Sequence, residues 1–187
     1  GKGGHAASPH LSIDPVVISA QVISAVQTII SRSTDPVDKA LIRITKINAG
    51  TAYNVIDDQV KMGGTIRTFK KETRSYIEKR LGELCKGIAE AHGAEIKIQF
   101  DLVNKYPPTI NSKKESIFAS NVAKDLVGED KVITDIEPSM GGEDFSYLLE
   151  EKPGTYLYLG QGDDNHKAHL HTTKYDFNDN LLPVGVN

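Results

Sequence analysis

The chain has 187 residues, 22 Lys plus Arg against 25 Asp plus Glu, a formal net charge of -3 and 39% hydrophobic residues, the balance of an ordinary globular protein with one good core or two small ones. A weakly acidic total without basic blocks excludes the electrostatic footprint of a nucleic-acid binder, and no stretch reads as a run of the apolar length that spans a bilayer. The single cysteine, Cys85, excludes an internal disulfide or a cysteine zinc cluster and suits a reducing, cytoplasmic setting.

The first residues, Gly1-Lys2-Gly3-Gly4-His5, carry no Met and no targeting pattern, and they read as the continuation of a longer protein. They are expected to form the tail of a strand. Asp14 and Pro15 then suit a helix start, Asp accepting from free amides and Pro taking the first helical position. The helix runs to Ile30. Val16, Val17, Ala20, Ile23, Val26 and Ile30 follow helical spacing, but Ile18, Val22 and Ile29 make its other side apolar too. Such a helix is covered on more than one side, which predicts a partner subunit on one of them. Ala40, Ile42 and Ile44 alternate as in a strand, and Val60, Met62, Gly64 and Ile66 mark a second. Lys71 to Ala91 reads as a helix with Ile77, Leu81, Leu84, Cys85 and Ile88 as its apolar stripe, ended by His92-Gly93. Ile96, Ile98, Phe100 and Leu102 then alternate with Glu95, Lys97, Gln99 and Asp101 as a final strand.

That order is βαββαβ, the ferredoxin-like arrangement of a four-stranded antiparallel sheet with two helices on one face. The fold class is therefore α+β over residues 1–109, closed by the stiff Tyr106-Pro107-Pro108-Thr109 linker. Beyond it, 110–187 predicts a helix over Glu115–Val127, a strand over Lys131–Ile136, a short helix over Asp144–Glu151 and a strand over Thr155–Leu159. These pieces are too few to close a core alone, so Ile117, Phe118, Leu148 and Leu157 are expected to be exposed.

Several residues invite a chemical reading. His5 lies among glycines that let the backbone approach a ligand closely, although a lone loop histidine is more often plain. Arg67 on its own is a solvated strand charge, and Asn54 a turn former. Together, a planar guanidinium and an amide can clamp a carboxylate. His169 and His171 have strand spacing with His166 nearby, but a metal site needs three or four ligands and no carboxylate or Cys completes the set. Met140-Gly141-Gly142-Glu143-Asp144 places two acids at a helix start, which by default means capping.

Taken together, Gly1 to His10, Gly50-Thr51-Ala52-Tyr53-Asn54-Val55-Ile56, Gly64-Thr65-Ile66-Arg67-Thr68-Phe69, Tyr106 to Thr109, Met140 to Tyr147 and Leu170-His171-Thr172-Thr173-Lys174-Tyr175-Asp176-Phe177 resemble the aminoacylase, hippurate hydrolase and indole-acetyl-amino-acid hydrolase group of metallopeptidases. The segments stand in that family's order and cover essentially the whole chain. Asp57 departs from the family's usual Pro and should loosen that turn. The resemblance implies that 1–109 is the lid and dimerisation domain and 110–187 the C-terminal part of an α/β metallopeptidase catalytic domain. It implies that His5 stabilises the oxyanion, that Asn54 and Arg67 hold the substrate carboxylate, that Gly142 lines the substrate pocket through its backbone, and that His171 is one metal ligand. It also implies two divalent ions (Zn, Mn, Co or Ni) in the parent enzyme, a homodimer formed through the lid, and a small N-acylated amino acid as substrate. No nucleic-acid or membrane partner is expected. The family's other metal motifs and its general-base Glu do not occur here, so the 187-residue chain is expected to be inactive alone. The alternative is a non-catalytic ferredoxin-like module for dimerisation or small-anion binding.

Overall fold

The computed structural model describes residues 1–100 and 105–187. It is a mixed α/β chain with small sheets, divided into two compact units, Gly1–Pro108 with Pro138–Asp144, and Thr109–Glu137 with Phe145–Asn187.

In the first unit a two-residue strand, β1 (Gly4–His5), leads to helix α1 (Pro15–Ser33). Asp14 Oδ1 accepts from the Val16 amide at 2.8 Å and Pro15 opens the helix, as its residue types dictate. The buried face is Ile18, Val22, Val26 and Ile29, while Val16 and Val17 are exposed on the other apolar side. With 19 residues and a mean hydropathy of 1.3, α1 reaches the length and composition of a membrane-crossing helix, which corrects the expectation that no stretch does. Its apolar face is nevertheless packed into the core of this unit beside Ile42 and Ile77.

Strands β2 (Ala40–Asn48) and β4 (Lys61–Thr68) form an antiparallel hairpin with Ile42 opposite Ile66 and Leu41 opposite Arg67, interrupted by an irregularity between Ile44 and Lys46. Between them, β3 (Val55–Ile56) pairs with β1, Gly4 opposite Ile56 and His5 opposite Val55. The strand pairings among the described residues thus make two two-stranded sheets. Helix α2 (Lys71–Ala91) buries Thr73, Ile77, Cys85 and Ala89, and it ends at His92 before Gly93, whose φ of 67° suits glycine. Val22, Val26, Ile29, Ile42, Ile77 and Cys85 form one cluster, with Met62, Ile66 and Ile96 packed against it. Burial pushes the Cys85 thiol up from its ordinary pKa, as for a structural rather than reactive cysteine. The strand expected over residues 95–102 contributes Ile96 to that cluster without strand pairing over 95–100, and Asp101 and Leu102 lie outside the described residues.

Glu78 on α2 takes Arg74 Nε at 2.9 Å and Lys105 Nζ at 2.9 Å on Oε1, with Lys105 also 3.0 Å from Oε2. Burial pushes this carboxyl up, but the Lys105 and Arg74 hydrogen bonds outweigh it and hold the pKa below its ordinary 4.5. A carboxylate depressed in the folded state stabilises fully above its unfolded pKa and loses that contribution as pH falls through the folded value. Between about pH 5 and pH 3 the melting temperature should therefore fall less in Glu78→Gln than in the unsubstituted protein. Parallel melting curves would show Glu78 to be thermodynamically silent.

In the second unit, helix α3 (Lys113–Val127) has no buried residue, and α4 (Phe145–Glu151) and α5 (Leu182–Val186) are short. Ile117, Phe118, Leu148 and Leu157 are all more than half exposed, as their sequence context leads one to expect. The strands expected over 131–136 and 155–159 are not paired among the described residues. A side chain does the pairing at the second of them: Asn111 Oδ1 accepts from the Tyr156 amide at 2.7 Å and Asn111 Nδ2 donates to the Tyr156 carbonyl at 3.0 Å. At Tyr156 a side-chain amide thus satisfies the backbone groups that a neighbouring strand would pair.

Candidate active site

His5 and Asn54 are brought together by the short β1–β3 ladder. The Ala6 amide donates to the Asn54 carbonyl at 3.0 Å, and both residues line an open cleft with Gly3, Gly4 and the 55–58 segment. The turn leading there is tied rather than loose, because the Thr51 hydroxyl donates to Asp57 Oδ1 at 2.9 Å. Asp57, where the resemblance leads one to expect a looser turn, is engaged there through its carboxylate. Asp58 Oδ1 in turn accepts from the Gly3 amide at 2.8 Å, fixing the glycine approach to His5.

The His5 ring is exposed, and its Nδ1 lies 3.0 Å from the Ala7 amide. A backbone N–H can only donate, so Nδ1 accepts, and the neutral imidazole then carries its proton on Nε2. The ring presents a hydrogen-bond donor at its far end.

Arg67 does not line this cleft. It stands half-buried on β4, with its guanidinium carbon 5.6 Å from the centroid of the Tyr106 ring. Gly142 belongs to the same compact unit, and a Cβ there would lie 2.6 Å from Arg67 Cζ and Nη2 and 2.7 Å from Nη1. Arg67 is thus an organised group rather than a solvated strand charge. The structure groups His5 with Asn54 in the cleft, and Arg67 with Gly142 beside Tyr106.

His171 lies in the second unit, in a turn rather than a strand, so the alternation that would point His169 and His171 the same way is absent. The reason is local: Thr172 Oγ1 donates to the His169 carbonyl at 2.8 Å and the Tyr175 amide to the Thr172 carbonyl at 3.2 Å. His171 has φ of 63°, the one positive φ outside glycine among the described residues. This left-handed region is uncommon outside glycine, although histidine is among the residues enriched in it. The loop is closed at its base by buried Asn178, whose Nδ2 donates to the Gln161 carbonyl and to Asp163 Oδ2, both at 3.0 Å. Asp163 Oδ1 accepts from His166 Nδ1 at 2.7 Å and from the Asn165 and His166 amides at 2.8 Å. The His166 contact, followed by those amides, holds the Asp163 carboxyl below its ordinary pKa. His166 is engaged in the loop's own architecture.

Among the described residues no three His, Cys, Asp or Glu side chains converge as a metal would require. The described side chains therefore do not by themselves fit a dinuclear centre. Tyr106, the Ala7 amide and the Asn178 hub were not singled out from sequence as site elements. Tyr106 reads there as a linker residue, and the other two depend on backbone geometry that residue types do not reveal.

The family model described as peptidase family M20/M25/M40 matches residues 5–187. An IAA-amino acid hydrolase of Arabidopsis thaliana is 37% identical over 189 residues, covering 100% of this chain and 42% of that protein. The hippurate hydrolase of Campylobacter jejuni is 38% identical over 182 residues, covering 97% of this chain and 46% of its own length. Among solved structures, an aminohydrolase from methicillin-resistant Staphylococcus aureus superposes with a TM-score of 0.73 at 27% identity, covering 99% of this chain and 47% of that one. A Bacillus subtilis dinuclear metal binding peptidase gives 0.65 at 31% identity, covering 92% of this chain and 43% of its own. The chain spans a little under half the length of these relatives.

Proposed function

This chain belongs to peptidase family M20/M25/M40, and on that premise we propose that it forms part of a metal-dependent amidohydrolase that cleaves the amide bond of N-acyl or N-aroyl amino acids, hippurate-like compounds among them. Residues 1–109 serve as a ferredoxin-like lid through which two copies pair, with exposed Val16 and Val17 of α1 on the covered face. Residues 110–187 belong to the catalytic domain. The metal ions supply the activated water in such enzymes, and the ligands besides His171 come from outside these 187 residues. Reducing surroundings suit the lone buried thiol of Cys85.

The observation that carries this reading is the His5 imidazole, fixed through Nδ1 by the Ala7 amide, left with Nε2 as its donor, and lining the Asn54 cleft. Amide hydrolysis builds negative charge on the carbonyl oxygen, and a preset neutral donor stabilises that charge without giving up its proton. Arg67 supplies what the cleft lacks, a planar cation for the free carboxylate, with Asn54 as an additional donor to the substrate. His171 contributes one imidazole to metal binding.

Turnover of an N-acyl amino acid tests this reading. The isolated chain with excess Mn²⁺ or Zn²⁺ is expected to be inert, and the same chain joined to the remainder of its enzyme to be active. In the active assembly, Arg67→Ala should raise KM roughly 10- to 100-fold with kcat less affected, since a charge-assisted carboxylate contact is worth about 1.5–3 kcal/mol. Full activity of the isolated chain, or an unchanged KM in Arg67→Ala, would refute the proposal.

A further inference from the structure

The nearly equal distances from a Gly142 Cβ to Cζ and to both Nη atoms of Arg67, 2.6–2.7 Å, have a simple geometric meaning. A point on the plane of a guanidinium, approaching between the two Nη atoms, would be clearly closer to the nitrogens than to the carbon. Near-equality places the point above the plane. Gly142 therefore backs one face of the guanidinium, and the group can rest there only because the residue has no side chain. The Tyr106 ring, 5.6 Å from Cζ, adds the attraction of an aromatic face for a cation. A guanidinium backed on one face keeps its in-plane N–H groups for an acceptor, and a carboxylate accepts them bidentately.

We propose that Gly142 and Tyr106 are the seat that fixes the Arg67 guanidinium, so that they set affinity for the substrate's carboxylate without touching the substrate. This rests on Arg67 being the carboxylate anchor, and it gives Gly142 a different task from lining the substrate pocket. The seat follows from two independent contacts, one from the segment after Pro138 and one from the linker residue Tyr106. Its physical consequence is that stability and affinity separate. A methyl group at 142 meets only the end of a flexible side chain, so the fold is spared. The guanidinium must move, and a misplaced binding group loses its geometric advantage.

The test uses the full 187-residue chain. The Arg67 Nε–H resonance is first followed by NMR without ligand in the unsubstituted protein and in Gly142→Ala, Tyr106→Leu and Tyr106→Phe. The seat predicts that Gly142→Ala and Tyr106→Leu move this resonance toward that of free arginine and speed its hydrogen exchange. Tyr106→Phe, which keeps the ring, should leave it in place. Melting temperatures should stay alike throughout.

N-acetylglycine is then titrated, with its primary amide as the carboxylate-free control. Gly142→Ala is expected to weaken binding roughly tenfold and Tyr106→Leu roughly two- to fivefold, with Tyr106→Phe binding as the unsubstituted protein does. Arg67→Ala should abolish binding. If Arg67→Ala binds normally, the anchor reading fails. If Arg67→Ala alone loses binding while Gly142→Ala and Tyr106→Leu retain it, the anchor stands and the seat is overturned. An Arg67 resonance unmoved in both seat variants overturns the seat whatever the titration gives.

Discussion

Replacing His5 with alanine is expected to lower kcat for an N-acyl amino acid roughly 10²–10³-fold in the active assembly, the loss measured when an oxyanion donor is removed. The ring is exposed and β1 pairs through main-chain atoms, Gly4 with Ile56 and His5 with Val55, so the substitution spares the local fold. KM should change little, because the hydrogen bond from Nε2 strengthens only as the carbonyl oxygen acquires charge. That pattern is opposite to the one expected for Arg67→Ala, and the contrast separates the two roles. The tautomer adds a second constraint. With Nδ1 occupied by the Ala7 amide at 3.0 Å, His5 is a donor at its far nitrogen and has no lone pair there to accept a proton. ¹⁵N shifts of the ring should show Nε2 protonated and Nδ1 bare in the neutral form. A His5→Ala enzyme with undiminished kcat, or with its whole defect in KM, would remove His5 from transition-state stabilisation.

Sequence pattern located the helices well because helical signals are local. Lys71 to Ala91 was expected and is found, and α1 and α3 differ from expectation only at their ends. The orientation of α1 was harder. With apolar residues nearly all round, spacing alone could not decide whether Val16 and Val17 or Ile18 and Val22 face inward. Packing against β2 and α2 decides for the latter. Long strands were legible where both partners lie in the chain's own hairpin, as for β2 and β4. Thr155–Leu159 has strand residues but no paired strand among the described residues, and Asn111 takes over its backbone groups. In the opposite sense, Val55–Ile56 is a strand inside what reads as a loop, made so by pairing with β1.

The site followed the same rule. His5, Asn54, Arg67, Gly142 and His171 were identifiable by type and by resemblance. Their grouping was not, because it is set by which backbone segments meet. His5 joins Asn54 through a two-residue ladder, and Arg67 meets a glycine 75 positions away in sequence. A glycine pair shows how far residue type can mislead. Gly63 and Gly64 are neighbours of identical chemistry, and nothing in the sequence ranks one above the other.

Register ranks them, and the expected consequence is large. Gly64 stands opposite Ile44 at the irregularity of the β2–β4 ladder, and a Cβ there would intrude on the Arg43 carbonyl oxygen. The obstacle is main chain of a paired strand, with no rotamer to relieve it, so Gly64→Ala must push β2 and β4 apart beside buried Ile42. Overpacking of this kind costs about 1–3 kcal/mol and sometimes more, and the absence of any side-chain escape puts this case at the upper end. For a unit of this size such a loss lowers the melting temperature by roughly 10 °C or more. At Gly63 the nearest atom to an added Cβ is Lys46 Cβ at 3.9 Å, ordinary van der Waals distance. Gly63→Ala also reduces the entropy of the unfolded chain, which makes it neutral or stabilising by up to about 1 kcal/mol. The two variants, one residue apart, should therefore shift the melting temperature in clearly different ways. Equal shifts would show that the β2–β4 register, and with it the placement of Arg67 opposite Leu41, is wrong.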